Sequence, residues 1–461
     1  MDLRQIFIDQ QDFFKTGFSK SITFREMMLK KLLSSIKNNE KELLDGLKID
    51  LGNSAFEGYV SELGMMYSSI NKTIKNLHKW TKPKKKKTPF YLLGAKANVY
   101  KVPYGSTLIM SAFNYPILLA LDPLVGAIAA GNSAMLALPS STPNVNKVLV
   151  DLINSTFERD YVYAFVTNRD LNREILTYKF DKIFYTGSGK VGKIVLRAAS
   201  ENLIPTTLEL GGKSPALVTR NAKLSTVTSS IVWAKLLNSG QTCVAPDYIL
   251  VSKIMADELI LEINKSVKKM FPGGLAHNSD YSKIVNEKEL ERLLAIVDAD
   301  KDYIINNYTY SLDNCHLSLV LLLANLSEVA NLKSMKSELF GPILPIIVYE
   351  DLDEAINYIN ENDTPLAFYP FSTDRHEIRE LLEEVRFGGA TVNDCVLHLS
   401  NLDLPFGGLG ASGMGNYHGK YSIDTFSHHQ AVLNTKSSFK NRLMHPPYTT
   451  FKEKLIRVFL K

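Results

Sequence analysis

Apolar residues at Phe24, Met28, Leu32 and Ile36 recur at every fourth position, so the start of the chain predicts a helix with one apolar face. Thr23 and Glu26 fit a capping box at its entry. From about Asn98 onward the pattern alternates: STLIMS, a long apolar helix, NSAMLAL, a helix near Asn144 to Phe157, YVYAFV, a helix near Leu171, then DKIFYT. Strands separated by helices of that length pair in parallel, with helices on both faces. Such sheets bind ligands at the carboxyl ends of their strands. After Pro215 the alternation resumes with ALVT, a helix around Ser225 to Asn238, YILV, and a helix from about Met255 to Met270. Two α/β units of similar construction are therefore expected.

The longest apolar tract, Ile117 to Leu138, contains Asp122, Pro123, Gly126, Gly131 and Asn132. A central Asp alone costs about 2.5–3.5 kcal/mol on membrane insertion, so the tract reads as a buried helix followed by a buried strand. Leu317 to Ala324 is too short to span a bilayer. The ending YTTFKEKLIRVFLK is basic and partly amphipathic, which permits contact with an anionic membrane surface, although a packed or dangling tail is the plainer reading. Lys84 to Lys87, inside WTKPKKKKTP, reads as a solvated, Pro-flanked loop.

Composition narrows the classes. The 461 residues leave room for roughly three folding units, and 45% hydrophobic against 22% charged residues excludes disorder as the main state. A net charge of 53 − 48 = +5 is too dilute to point at nucleic acid. Three cysteines, Cys243, Cys315 and Cys395, are too few for a disulfide framework and suit a reducing compartment. The start, MDLRQIFIDQQDFF, lacks the apolar core of a signal peptide, so a cytoplasmic protein is expected.

Four segments carry candidate chemistry. TGSGKVGK, Thr186 to Lys193, follows a strand and opens a helix, matching G-x-G-x-x-G through Gly187, Gly189 and Gly192. A dinucleotide fingerprint wants an acid about 20 residues further on, and Glu209 stands 209 − 187 = 22 residues after the first Gly. Ile194 occupies the Ser/Thr position of a P-loop, which argues against a nucleoside triphosphatase. What remains is a Gly-rich turn at a helix N-terminus that can hold a phosphate, or a tight turn that simply needs glycine. NSGQTCVAPDY places Cys243 among small and polar residues right after a helix, the setting of an exposed functional loop, although a lone cysteine is ordinarily packing. In LELGGKSP, Glu209 ends a strand between two leucines; burial would raise its pKa towards a general base's working range, whereas an edge-strand Glu would face water. In MSAFNYP, Asn114 is an amide inside an apolar stretch, to be hydrogen-bonded or used as an oxyanion donor.

FNYP, TGSxxVGK, LELGGKSP, GQTC and ELFGP, in that order, resemble the aldehyde dehydrogenase superfamily, and LPFGGLGASGMGNYHGKYSIDTFSH is most similar to its class 3 or fatty-aldehyde branch, bacterial members included. The resemblance runs from about residue 20 to about 450. It implies two doubly wound Rossmann-like lobes with parallel sheets and a small β oligomerisation arm. The division it suggests is 1–84 and 104–211 for the cofactor lobe, 212–410 for the catalytic lobe, and 85–103 with 411–461 for the arm and tail. It implies NAD(P)-dependent oxidation of an aldehyde, medium or long-chain aliphatic or aromatic, to the carboxylate. Cys243 would be the nucleophile, a reactive thiolate passing through a thiohemiacetal and a thioester. Asn114 and the Cys243 N–H would hold the oxyanion, and Glu209 would be the hydrolytic base rather than a ribose ligand. Glu338 in SELFGP would bind the nicotinamide ribose, with Phe340 flanking that ring. Gly187, Ser188 and Gly192 would form the pyrophosphate loop, and Phe113 and Ser140 would also meet the cofactor. No metal is assigned, and a homodimer is expected.

Departures from that family's pattern lie at the adenosine end. Ala137 and Ser140 replace the Lys and Glu that usually grip the ribose, and VTNRD, Val166 to Asp170, replaces a Gly-Gly pair. Losing two or three hydrogen bonds would weaken cofactor binding by roughly 1–4 kcal/mol. Without the Glu charge, NADP is an alternative to NAD. Three competing readings follow: a scaffold dimer with weakened cofactor binding, a cofactor-independent thiol esterase pairing Cys243 with His418 or another histidine, and a CoA-acylating reductase, which a hydrolytic base at Glu209 disfavours. The run Asn314 to Leu326 also departs from the family, and nothing in its chemistry explains the change.

Overall fold

A computed structural model describes residues 2–92, 94–276, 278–436 and 444–460. Helices α1 (Leu3–Thr16), α2 (Ile22–Asn38), α3 (Glu40–Leu51), α4 (Ala55–Gly58) and α5 (Gly64–Thr81) open the chain. The α2 helix buries Met28, Leu32 and Ile36, the face its spacing predicts, with Leu29 beside them. Its cap is Ser21, whose Oγ accepts the Phe24 N–H at 3.4 Å. Thr23 already lies inside the first turn, so the capping box expected from Thr23 and Glu26 does not form. Between α4 and α5, Tyr59–Leu63 widens into a π-helical turn. Strands β1 (Lys84–Lys86) and β2 (Lys96–Pro103) follow.

The first large sheet is built from β3 (Ser106–Met110), β4 (Ser133–Leu138), β5 (Val162–Val166), β6 (Lys182–Thr186) and β7 (Thr206–Glu209). Its crossovers carry α6 (Pro116–Ala130), α7 (Pro143–Thr156), α8 (Arg169–Ile175) and α9 (Gly189–Ser200). These strands are parallel in the order β7-β6-β3-β4-β5. The chain winds outward from β3 to β5 and then returns to place β6 on the other side of β3. Crossovers therefore leave in opposite directions at β3 and β6, and their carboxyl ends border a crevice. The α6 helix is buried nearly all round, and β4 is wholly buried, as the apolar tract from Ile117 to Leu138 predicts.

The second sheet repeats the plan with β8 (Pro215–Val218), α10 (Leu224–Leu236), β9 (Tyr248–Ser252), α11 (Ala256–Met270) and α12 (Glu287–Ala299). After a short hairpin, β10 (Tyr310–Ser311) and β11 (His316–Leu317), come β12 (Val320–Asn325), β13 (Ile343–Tyr349), α13 (Leu352–Glu361), β14 (Ala367–Phe371), α14 (Arg375–Glu384) and β15 (Gly389–Ala390). Its order is β12-β13-β9-β8-β14-β15, parallel throughout.

The stretch from 411 onward divides between two bodies. Strand β16 (Gly413–Met414) pairs antiparallel with β7, and α15 (Lys420–Thr425) packs on α6. Strand β17 (Ser427–Asn434) instead runs antiparallel along β2, which holds β1 on its other side. Lys84–Lys86, expected as a loop, are thus a solvated strand: pairing with Ala97–Val99 satisfies their backbone while the lysines stay in water. An amphipathic helix, α16 (Thr450–Phe459), ends the described chain with Phe451 and Val458 exposed. Leu93, residues 437–443 and Lys461, which fall within the arm and tail expected from sequence, lie outside the described residues. Among the described residues no helix is long and apolar enough to cross a membrane.

One buried cation tests this packing. Lys182, at the amino end of β6, is 5% exposed and donates to Thr207 Oγ1 at 2.7 Å. Burial draws its pKa down from 10.5 to about 7. The unfolded chain then holds the proton more tightly, so this group adds stability as pH rises from about 7 towards 10.5 and penalises the fold below that window. Urea unfolding of wild type and Lys182→Met should converge or cross by an amount on the order of 4 kcal/mol across those pH values; parallel stability–pH curves would contradict the placement.

Candidate active site

After α10 the chain turns through Asn238 and Ser239, both in the left-handed region at φ 50° and 52°. Asn238 to Thr242 are buried, so the loop is not the exposed one its polar composition suggests. A buried loop must satisfy its backbone internally, and here carboxyl and amide side chains do so. Glu57 Oε1 accepts the Asn238 N–H at 2.9 Å, and Asn238 Nδ2 donates to the Asn114 carbonyl at 2.8 Å. Gln241 Nε2 donates to the carbonyls of Asn238 and Lys283 at 3.0 and 2.9 Å, while its Oε1 accepts the Val285 N–H at 2.9 Å. At Gly240, φ 75°, an added Cβ would fall 2.5 Å from the Gly341 carbonyl oxygen, so only glycine fits. The loop delivers Cys243, half-buried, to the wall of a cavity.

Asn114 follows β3 and is 3% exposed. Its Nδ2 donates to the Gln241 carbonyl at 2.9 Å, which leaves one N–H uncommitted. Its position depends on a residue the sequence does not single out: Glu62 Oε2 accepts the N–H groups of Ile117 and Leu118 at 2.7 and 2.9 Å, pinning the first turn of α6 just beyond Asn114. Burial pushes the Glu62 carboxyl up to about 8.

Glu209 ends β7, 3% exposed, and neither carboxyl oxygen has a hydrogen-bond partner. The edge-strand alternative therefore fails, because β16 covers that side. Burial holds its carboxyl well above the usual range. Burial also pushes the Cys243 thiol up to about 12, with the negative fields of Glu338 and then Glu209 adding to the shift. Desolvation and neighbouring carboxyls both disfavour the thiolate that the sequence resemblance implies. Glu338 itself is pushed up to about 8, by burial first and Asp247 second. Its carboxylate lies against the backbone of Gly211, where an added Cβ would fall 2.1 Å from Oε2, and its buried Oε1 has no partner.

The remaining candidates lie along the carboxyl edge of the first sheet. Gly187 and Ser188 link β6 to α9, and Ser188 Oγ caps that helix by accepting the Val191 N–H. Gly192 is buried in the first turn against Leu210. Phe113 and Phe340 meet edge to face, centroids 5.9 Å apart at 73°. Ser140 is exposed just beyond β4, the outlying member of the set. The cavity that Cys243 lines has a volume of about 700 Å³ and a largely apolar wall including Phe56, Leu118, Trp233, Phe271 and Leu397. Near the sulfur, Tyr115 Oη and Thr242 Oγ1 are hydrogen-bonded at 2.6 Å. Sequence reasoning passed over Glu57, Glu62 and Asn238 as residues of the site. Only the Gln of GQTC carried a readable signal, an amide beside the candidate nucleophile.

Comparison with known proteins finds relatives over nearly the whole chain. The model of the aldehyde dehydrogenase family matches residues 7–432. The chain is 42% identical over 459 residues to the 4,4'-diaponeurosporen-aldehyde dehydrogenase of Staphylococcus aureus, covering 100% of this chain and 99% of that one. It is 37% identical over 451 residues to the mouse (Mus musculus) aldehyde dehydrogenase family 3 member A2, covering 97% and 92%. Among solved structures, the substrate-bound state of Staphylococcus aureus AldH superposes with a TM-score of 0.97 at 41% identity over the whole of both chains. A Mycobacterium tuberculosis aldehyde dehydrogenase complexed with NAD+ shares the fold at TM-score 0.84 and 21% identity, covering 94% and 90%.

The electrostatics around Cys243 predict its reactivity. With no nucleotide added, alkylation of Cys243 by iodoacetamide, followed by peptide mass spectrometry, should be slow at neutral pH and rise about tenfold per pH unit on the alkaline side. Glu338→Gln should accelerate it above about pH 8, where the Glu338 carboxyl is ionised and its field opposes the thiolate. Fast alkylation independent of pH would mean a stable thiolate and contradict the placement.

Proposed function

The chain belongs to the aldehyde dehydrogenase family, and on that premise we propose that it oxidises long, apolar aldehydes to carboxylic acids through Cys243, with a nicotinamide dinucleotide as oxidant. One observation carries the reading: a largely apolar cavity of about 700 Å³ that Cys243 lines, with its thiol in the fields of Glu338 and Glu209 and its loop bound to Asn114. An apolar wall of that size favours an aliphatic or aromatic chain over a small polar aldehyde.

The residues present fit the dinucleotide. Thr186 Oγ1 and Glu338 Oε1 are buried and without partners, as groups that await ribose or phosphate oxygens would be. Ser188 and the α9 N-terminus would hold the pyrophosphate, and Phe113 and Phe340 would flank the nicotinamide end. Ser140 offers a small exposed hydroxyl at the adenosine end with no charge to oppose a 2′-phosphate, so both NAD and NADP suit it. When bound, the dinucleotide supplies the hydride acceptor.

In this reading the Cys243 sulfur gives up its proton to solvent water and adds to the aldehyde carbon, whose carbonyl π bond opens to the oxyanion of a thiohemiacetal. The free Asn114 N–H and the Cys243 backbone N–H hold the oxyanion. After oxidation a thioester remains on Cys243. Glu209, ionised, takes a proton from water, which attacks the thioester carbonyl, expels the sulfur and frees the acid. The elevated Glu209 and Cys243 values mean that both groups must deprotonate, so turnover rises with pH through the neutral and alkaline range. The arm supports a homodimer: β17 is hydrogen-bonded to β2 on one side and exposed along all but its first residue, an edge a second copy can cover.

Reduction of NAD+ or NADP+, followed spectrophotometrically, should increase in kcat/KM from short to long-chain aldehydes and vanish in Cys243→Ser. Asn114→Ala should lower kcat about 10²–10³-fold and Glu209→Gln about 10²–10⁴-fold. Undiminished turnover in Cys243→Ser, or a preference for the shortest aldehydes, would overturn the reading.

A further inference from the structure

Two stretches that take no part in the reaction meet in the fold. Lys82 to Lys101 holds seven lysines and no acid, and Met444 to Leu460 holds Lys452, Lys454 and Arg457 against the single acid Glu453. Together they carry 10 − 1 = +9 on a chain whose net charge is +5, so the rest of the chain is net acidic. The α16 helix lies against the short helical turn Phe90–Leu92, which begins three residues after Lys87. Lys82, Lys84 to Lys87 and Lys96 are exposed. Among the described residues, ion pairs neutralise Lys101, with Asp424 at 2.7 Å, and Arg457, with Glu453 at 2.9 Å, and leave the other eight cations without a carboxylate partner. Lysines on an edge strand such as β1 blunt it against further pairing, but that role gives no reason for an amphipathic helix beside them.

The helix adds the apolar half of the surface. Lys452, Leu455, Ile456 and Phe459 form its half-buried face, at helical spacing. Phe451, Lys454 and Val458 share the opposite side, and Tyr448, Phe451, Val458 and Leu460 are each more than half exposed. At ten residues α16 is too short to cross a bilayer. A helix with exposed apolar side chains flanked by cations suits the boundary between lipid headgroups and acyl chains, and clustered Lys and Arg beside such a helix attract anionic lipid.

We propose that α16 and the lysines around β1 form one docking surface for an anionic lipid bilayer. Lys84 to Lys87, Lys96 and Lys454 meet the headgroups, and Phe451 and Val458 enter the apolar layer. A nucleic acid offers the negative charge but no apolar phase for Val458 and Leu460. A second copy of this surface would set unpaired lysines against unpaired lysines, and β1 lies at the opposite edge of its sheet from β17, the edge a second copy can cover. None of these residues lines the Cys243 cavity, so the test needs no aldehyde.

Flotation of the full chain with lipid vesicles provides that test. The protein should float with phosphatidylcholine vesicles containing about 30% phosphatidylglycerol, partition about tenfold or more weakly onto pure phosphatidylcholine, and be released as NaCl rises from about 0.05 to 0.5 M. Lys84→Gln, Lys85→Gln, Lys86→Gln and Lys87→Gln together should weaken partition about tenfold or more, and Phe451→Ser with Val458→Ser about tenfold. Circular dichroism establishes that both variants fold; should either fail, the wild-type contrast between the two vesicle types and its salt dependence still decide. No flotation with the anionic vesicles, equal partition onto both vesicle types, or undiminished binding by both folded variants overturns the inference. So does tighter binding to duplex DNA or RNA that Phe451→Ser with Val458→Ser leaves unchanged, or loss of a dimer in that variant when wild type binds no vesicle.

Discussion

A desolvated turn, residues 238–242, underlies the whole site. Its backbone has left water, and every polar group in it must find a partner within the protein or cost free energy. Those partners come from three separate places: Glu57 ahead of the first sheet, Asn114 at the end of β3, and the Lys283–Val285 segment after α11. One set of hydrogen bonds thereby ties the loop that carries Cys243 to both lobes and fixes the Asn114 side chain relative to Cys243.

The same desolvation explains the electrostatics. Glu209, Glu338 and Cys243 sit where charge is poorly solvated, so each holds its proton more tightly than it would in water. A thiol kept neutral at rest is protected from adventitious oxidation and alkylation, and becomes nucleophilic only when its proton is removed. The Lys213–Asp247 ion pair continues this network behind Glu338, with Asp247 Oδ1 accepting the Leu339 N–H at 2.9 Å.

Much of the architecture was legible because it follows from periodicity. Strands β3 to β9 and helices α6 to α11 fall where the alternation of apolar runs places them. Glu209, Asn114 and Cys243 were legible as residue types out of keeping with their neighbours. What escaped was long-range. Ser21 rather than Thr23 caps α2, because the choice depends on where the helix is allowed to begin. Lys84–Lys86 form a strand only because Ala97–Val99 lies alongside. The burial of the GQTC loop, and with it the raised thiol pKa, depends on Glu57, Asn238 and Lys283 meeting in space, and no local composition announces that. Glu62 looks like an ordinary helix acid until the fold shows what it binds.

The central claim is that Cys243 is acylated and Glu209 then releases the acid. It is tested most directly by intact-protein and peptide mass spectrometry of Glu209→Gln mixed with a long-chain aldehyde and the oxidised dinucleotide. The account predicts that the protein accumulates one acyl group as a thioester on Cys243, together with reduced dinucleotide formed in a single turnover. Reduced dinucleotide without an adduct on Cys243, or an acyl group carried instead by Cys315 or Cys395, would contradict it.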